Sequence, residues 1–536
     1  MGIKWVIFGV VPLMLYGCEV GPNYQRPRLA VPKNYGELSG VSATQPSQAN
    51  QGHANLAQWW TNFRDPELNS LIARAIKGNL DFMQAASRVR QARYETEMAS
   101  ADIWPTVNAD GGYQHARGSK NVEFPISAFE GGNGPAKSSG GGGAVPAAAR
   151  GGANTSDPPQ GSASPAFAVP PPGPQSPLGS GGFPGVSTDL FQLGFDASWE
   201  IDVFGGARRG VEAAQAQEAA AIENQRDTLV TLLAEVARNY IELRGYQRQE
   251  AVVRQNLVNQ RETLRLTQEK ARVGVISRLD VAQQAEQLDA TSALLPPLIA
   301  SERQSIHSLS ILLGQPPDAL SAELSIPAAI PPVPRQVPVG LPSDLLRRRP
   351  DIRAAERQLA AATAQIGVAT ADLFPKFDLT GSAGLDATDP RQLLNWDSRY
   401  YSLVPGVSWA IFDAGRIRAN IGAQTEAQKQ ALLAYQIAVL NALKEVDDAL
   451  AQYNTEQLRN ASLAAAVKDG QDALAIAQDQ YNRGVTDFLP VLEAQGALLQ
   501  AQDSLTQSDE AVSEDLVALY KALGGGWEGD ATPSAR

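Results

Sequence analysis

From Phe191 to Val203 every odd position is apolar (Phe191, Leu193, Phe195, Ala197, Trp199, Ile201, Val203), and the even positions are Gln192, Gly194, Asp196, Ser198, Glu200 and Asp202. Strict alternation puts one set of residues on each face of an extended strand. Weaker versions mark Val107 to Tyr113, Phe377 to Leu385 and Tyr401 to Ile411, which predicts two pairs of strands. A strand of ~9 to 11 such residues can cross a bilayer, apolar outside and polar inside. The same pattern also suits a half-buried sheet in water. In lipid, four strands could not close, because bacterial barrels start at about eight strands and an open edge is not tolerated there. Two chains would supply eight strands and three would supply twelve.

Each second strand runs into a long helical pattern. No proline occurs from Gly206 to about Lys270, and Leu229, Leu232, Leu233, Val236, Tyr240, Leu243, Val253, Leu257 and Leu264 follow three- and four-residue steps. At 1.5 Å per residue this predicts a helix of roughly 95 Å. A matching stretch follows Gly415 through Leu432, Tyr435, Val439, Leu443, Val446, Leu450 and Tyr453 to about Tyr481. Both end in a glycine turn, Arg272-Val-Gly274-Val275 and Arg483-Gly484-Val485, after which helical periodicity resumes. Such stripes predict coiled-coil packing, a wall rather than a cofactor site.

The two stretches belong to a duplication. At an offset of 270, Asp81, Ala85, Ala92, Ala99, Ala101, Asp102 and Pro105 fall on Asp351, Ala355, Ala362, Ala369, Ala371, Asp372 and Pro375. At an offset of 210, Trp199, Gly274, Val275, Leu279, Val281 and Leu288 fall on Trp409, Gly484, Val485, Leu489, Val491 and Leu498. Between them, Phe204-Gly-Gly-Ala-Arg208 mirrors Phe412-Asp-Ala-Gly-Arg416. The expected organisation is a first repeat over 61–325, a linker over 326–342 with six prolines in 17 positions, a second repeat over 343–523 and a flexible tail over 524–536. The offsets differ because the first copy carries an insertion. Residues 131–186 hold 15 Gly and 11 Pro in 56 positions, with only Lys137, Arg150 and Asp157 charged, so 117–188 is expected to be a disordered surface loop.

Composition removes other classes. A mean hydropathy of −0.22 argues against a polytopic helical membrane protein, and a formal charge of −12 against a nucleic-acid binder. One cysteine and three histidines far apart in sequence (His53, His115, His307) offer no metal-ligand set and no disulfide framework. No G-x-S-x-G, phosphate-binding loop or H-E-x-x-H motif appears, so no catalysis and no cofactor are expected. The cysteine instead reads as an address. Lys4, the apolar run Trp5 to Leu15 and then Tyr16-Gly17-Cys18 fit a bacterial signal peptide over 1–17, with a lipidated segment over 18–60. Leu15-Tyr16-Gly17-Cys18 resembles a lipobox, which makes Cys18 the lipid attachment site and covalent lipid the expected modification. By resemblance to other bacterial lipoproteins, Glu19 after the cysteine does not imply retention in the inner membrane, so an outer-membrane lipoprotein facing the periplasm is expected.

With these residues assembled, the chain resembles the TolC-like outer membrane factors, specifically the NodT/OprM-type efflux lipoproteins. The resemblance rests on Cys18-Glu-Val-Gly-Pro-Asn-Tyr24, Trp59-Trp60 with Asp65-Pro66, Trp199-Glu-Ile-Asp-Val-Phe-Gly205 and the paired turns, and covers nearly the whole mature chain. It implies a mixed α and β membrane protein: a homotrimer whose outer-membrane β-barrel, four strands per chain, continues as a long α-helical periplasmic barrel. It also implies a passive exit duct for drugs, toxic compounds or metals, served by a periplasmic adaptor (membrane fusion) protein and an inner-membrane pump of RND type. The adaptor would dock on the turns at Arg272, Gly274, Val275, Arg483, Gly484 and Val485. Leu489 and Glu493 match positions that narrow the periplasmic aperture, where three glutamates would form a cation-attracting ring. Asp280 and Tyr481 match positions that tie neighbouring helices shut. The arginine that completes that latch is replaced here by Thr486, for which Arg278 or Arg483 are substitutes. Two other readings remain open at this point: a structural periplasmic coiled-coil lipoprotein, which would not need the strands, and a type I protein secretion conduit.

Overall fold

The computed structural model describes residues 19–40, 46–50, 56–117, 121 and 187–528. Cys18 and nearly all of the 117–188 insertion lie outside them. In chain order the regular elements are β1 (Gln48–Asn50), α1 (Pro66–Gly78), α2 (Leu80–Ala101), β2 (Thr106–Arg117), β3 (Ser187–Ile201), α3 (Gly206–Arg272), α4 (Arg278–Ala293) and α5 (Leu295–Leu312). They continue with α6 (Ser321–Leu324), β4 (Gln336–Pro338), α7 (Pro342–Arg348), α8 (Pro350–Ala371), β5 (Lys376–Ala387), β6 (Arg399–Ser408), α9 (Arg416–Asn482) and α10 (Leu489–Ala522).

The duplication is visible in element boundaries. α2 and α8 each span 22 residues at an offset of 270, and β2 and β5 each span 12 at the same offset. α3 and α9 each span 67 residues at an offset of 210, about 100 Å of continuous helix. Both are capped by a left-handed glycine, Gly205 (φ 83°) and Gly415 (φ 86°). These caps set the structural register, so Phe204-Gly-Gly-Ala-Arg208 and Phe412-Asp-Ala-Gly-Arg416, aligned by residue type at 208, sit two positions out of it. The copies also differ on the return path. α4 and α5 together cover the ground of the single helix α10, and the break at Leu294 falls just before Pro296-Pro297, since proline lacks the N–H that a continuous helix needs.

Two compact units divide the chain: Met1–Trp104, Ile201–Phe377 and Val407–Arg536 form one, and Pro105–Glu200 with Asp378–Gly406 the other. The first is helical. Its core gathers Trp59, Phe63, Leu71, Leu233, Val236, Tyr240, Val446, Tyr453, Leu516 and Tyr520, and Trp59 stacks on Tyr520 with ring centroids 5.1 Å apart. The Asp65-Pro66 motif is a helix start: the Asp65 carboxylate caps α1 by accepting from the N–H groups of Glu67 and Leu68 at 2.8 and 3.1 Å, and also accepts from the Tyr240 hydroxyl at 2.9 Å.

The linker is partly ordered, and the tail departs from the sequence reading. Part of the proline-rich stretch 326–342 is ordered as β4, which pairs in parallel with β1. The tail from 524 is not loose through 528: Gly524, Gly525 and Gly526 are buried, and Trp527 lies between Arg226 and Arg353, 4.7 and 5.0 Å from its ring, donating its indole N–H to the Arg348 carbonyl. Residues 529–536 lie outside the described residues.

The second unit carries the four-stranded sheet, in the order β2-β3-β5-β6. β2 and β3 are antiparallel, in a register that sets Val107 opposite Ala197, Ala109 opposite Phe195 and Tyr113 opposite Phe191. Apolar faces apolar along the pair, as alternation requires.

Candidate functional site

Three parts of the molecule bear on function: the sheet's apolar face, the strap behind Cys18 and the two helix turns. On the sheet, the odd-numbered set is solvent-facing in the single chain, with Val107 65 %, Phe195 61 % and Leu403 69 % exposed. A row of large apolar side chains left in water on β2, β3 and β6, with those of β5 half-buried between them, is a surface built for another apolar phase. Tyr113 and Phe191 pack their rings at 4.8 Å on this face, near the end of the strand pair remote from Thr106. Aromatic side chains near strand ends suit the level where lipid meets water. The opposite set is mostly polar, with Asp110, Gln192, Asp196, Asp378, Thr380 and Asp386, and is broken by Leu190 and Val404.

The strap accounts for the Glu19 to Tyr24 part of the motif. The Val20 N–H donates to the Phe204 carbonyl at 3.2 Å, and Gly205 fits against Glu19, where a Cβ would come within 3.0 Å of the Glu19 Cα. Arg209, 2 % exposed, donates to the Val20 carbonyl at 3.3 Å and to Asn23. Tyr24 donates to Glu356 at 3.1 Å, and Arg26 pairs with the same carboxylate at 3.0 Å. Residues 19–26 therefore bind both α3 and α8, one helix from each copy.

The turns are near copies of each other. In the first, the Gly274 N–H donates to the Ala271 carbonyl and the Val275 N–H to Lys270, both at 3.0 Å; in the second, Gly484 donates to Tyr481 and Val485 to Gln480, also at 3.0 Å. Gly274 (φ 78°) and Gly484 (φ 73°) occupy the left-handed position such a helix end requires. Val275 and Val485 are 71 % and 70 % exposed at the tips. Each matched turn thus presents one exposed valine at its tip.

Behind the turns lie the two latch candidates. Asp280 is not bonded to Tyr481; its carboxylate accepts from the Ser277 N–H at 3.3 Å and closes the capping box of α4. The Tyr481 hydroxyl is buried without a hydrogen-bond partner, and so is the Thr486 hydroxyl. Burial, followed by the Asp280 charge, raises the Tyr481 pKa. Neither proposed substitute reaches Tyr481: Arg483 pairs with Asp479 on its own helix at 3.0 Å, and Arg278 forms no ion pair among the described residues. What surrounds the ring is Phe488, at 5.0 Å between centroids and 1 % exposed, and Lys270, whose ammonium stands 4.5 Å above the ring. Lys270 and Phe488 were not singled out in the sequence: one sits among polar residues near the end of α3, the other opens α10 like any buried aromatic. Leu489 is half exposed in the first turn of α10, and Glu493, one turn on, is exposed. No group of three or more potential metal ligands occurs among the described residues, and no helix there is long and apolar enough to cross a membrane.

A sheet with one apolar and one polar face, joined in the chain to paired 67-residue helices, defines the class of outer-membrane channel subunits. The comparisons with known proteins agree. The family model described as outer membrane efflux protein matches residues 173–315 and 341–525, and the chain belongs to that family. The chain is 30 % identical over 484 residues to the pyoverdine export outer membrane protein OpmQ of Pseudomonas aeruginosa, covering 90 % of each chain. It is 31 % identical over 525 residues to the solvent efflux pump outer membrane protein SrpC of Pseudomonas putida, covering 96 % of this chain and 97 % of that one. Among solved structures it matches the outer-membrane channel OprN with a TM-score of 0.79 and 32 % identity, over 95 % of this chain and 100 % of that one. The protein is thus a channel component of an efflux system, located in the outer membrane.

Proposed function

We propose that three copies of this chain close a twelve-stranded barrel and form a passive exit duct for small molecules, with no bond made or broken along the way. The observation that carries this reading is the sheet itself. Its apolar face is exposed, and β2 and β6 end the sheet order with open edges, which lipid does not tolerate. Two chains would close about eight strands, and an eight-stranded interior is filled by side chains. Three chains leave a lumen. The helices supply a second argument for assembly, since Leu433, Ile437 and Leu440 form an exposed stripe on α9 at helical spacing.

In this reading an inner-membrane transporter, of RND type, and a periplasmic adaptor deliver the cargo, and the adaptor docks on the turns around Val275 and Val485. Relatives named for pyoverdine export and solvent efflux favour small-molecule cargo over secreted protein. The mature chain is anchored through lipid on Cys18. The strap supports this, because Glu19 is held beside Gly205, where the chain leaves β3 and enters α3. Fatty-acid labelling in cells is expected to mark the wild type and not Cys18→Ser; equal labelling of both would remove the anchor from Cys18.

The test of the duct is the mass and ion conductance of the purified mature protein in a planar bilayer. A trimer with discrete conductance steps is expected, whereas a silent monomer or dimer would return the structural lipoprotein reading. Glu493→Ala is expected to raise leak and lower the preference for cations, as removal of three carboxylates from a narrow ring requires. Unchanged conductance and selectivity would place Glu493 away from the constriction.

A further inference from the structure

We infer that Lys270 is the latch cation of the periplasmic end, holding the first helical hairpin to the second through the ring of Tyr481 rather than through its hydroxyl. The inference rests on the channel reading above. Lys270 lies two residues before the end of α3 and Tyr481 one residue before the end of α9, so a contact between them ties the two long helices at their tips. The Lys270 ammonium stands 4.5 Å above the Tyr481 ring and donates to the Asn482 side-chain oxygen at 3.2 Å. Both contacts go from α3 to the last turn of α9.

The ring is held in place for this. Phe488 packs on it at 5.0 Å, and Phe488 is itself buried in a small cluster with Ala477 and Val491, against which Leu474 and Leu492 lie. A fixed aromatic face under a partly buried ammonium is a favourable cation–π geometry. The hydroxyl, by contrast, has no hydrogen-bond partner, and Asp280 is engaged in capping α4. A latch built on the hydroxyl would leave that group satisfied. A latch built on the ring leaves it idle, as observed. Other charges near Lys270 are committed elsewhere: Glu269 pairs with Arg265 at 2.7 Å, and Asp479 with Arg483.

The two kinds of latch respond oppositely to conservative changes. In single-channel recordings Lys270→Met and Tyr481→Leu are expected to raise open probability about tenfold, three weak contacts being lost per trimer. Lys270→Arg, Tyr481→Phe and Asp280→Asn are expected to keep the wild-type open probability. Opening by Tyr481→Phe with Lys270→Met unchanged would overturn the inference and restore the hydroxyl as the latch. Spin labels on Val275→Cys and Val485→Cys read the same contact without conduction: their separation is expected to widen in Lys270→Met and to return in Lys270→Arg. Widening in a protein that never conducts would keep the latch and overturn the channel reading, whereas an unchanged separation in Lys270→Met would overturn the latch itself.

Discussion

Gly314→Ala is expected to be among the most destabilising single-methyl changes in the chain, at about 3 kcal/mol or more. Gly314 follows α5 with φ 71°, a conformation that costs an L-residue roughly 1–2 kcal/mol. A Cβ there would also lie 2.1 Å from the Gly78 carbonyl oxygen, and one on Gly78 would lie 2.3 Å from the Leu313 carbonyl oxygen. Backbone meets backbone on both sides, so no side chain can rotate away. Gly274→Ala supplies the control, having a similar φ of 78° and nothing within 4 Å of its Cβ position. Thermal unfolding should therefore separate the two, with Gly274→Ala losing only the conformational part. Equal losses would mean that the close approach of Gly78 and Gly314 contributes nothing.

Alkaline pH is the second strong lever. Glu510 and Glu514 on α10 face Glu242 on α3, and the Glu510 carboxylate lies over Gly245, where a Cβ would meet it at 2.1 Å. Burial, reinforced by Glu514 and Glu242, pushes the Glu510 pKa up to about 8, while burial and Glu242 push that of Glu514 up to about 7. Asp515, raised to about 6 by burial, adds to the same region, with Arg238 as a nearby cation acting on Glu514. A carboxyl whose folded pKa lies above its unfolded value holds a proton that the unfolded chain has released. Its contribution is fully present below about pH 4.5 and is lost as pH rises through the folded pKa. The melting temperature is therefore expected to fall steadily from pH 5 to pH 9. Glu510→Gln should flatten that slope and gain on the order of 2 kcal/mol per protomer at pH 8. A variant as pH-sensitive as the wild type would mean that Glu510 ionises freely in the folded protein.

Much of the architecture was legible because it is repeated. Leu229, Leu233, Val236 and Tyr240 alternate by threes and fours and are buried, and the offsets of 270 and 210 seen in residue types return as element boundaries. What escaped had no period to reveal it. β1 and β4 are three residues long, too short to alternate, and pair across almost 290 positions. The Phe204 and Phe412 motifs agree by residue type, but backbone geometry at Gly205 and Gly415 sets a different register. The tail looked polar and small, yet its glycines let the chain pass close to Trp59 and Leu233, and Trp527 finds two guanidinium groups. Tyr481 matched a position in the resembled family, but the cation over its ring is Lys270, 211 residues earlier on a polar helix face, which no motif marked.

The broken return path of the first copy has a mechanical meaning. α10 is a single rod of 34 residues, while α4 and α5 cover the same distance as two segments joined at Leu294. Bending stiffness is carried by an unbroken ladder of hydrogen bonds, and prolines at Pro296 and Pro297 interrupt that ladder in one arm alone. A load applied equally at both tips would therefore strain the first arm most at Leu294 and be carried by the second as a single rod. Duplication supplied two matching arms, and two adjacent prolines interrupt the hydrogen-bond ladder in one of them.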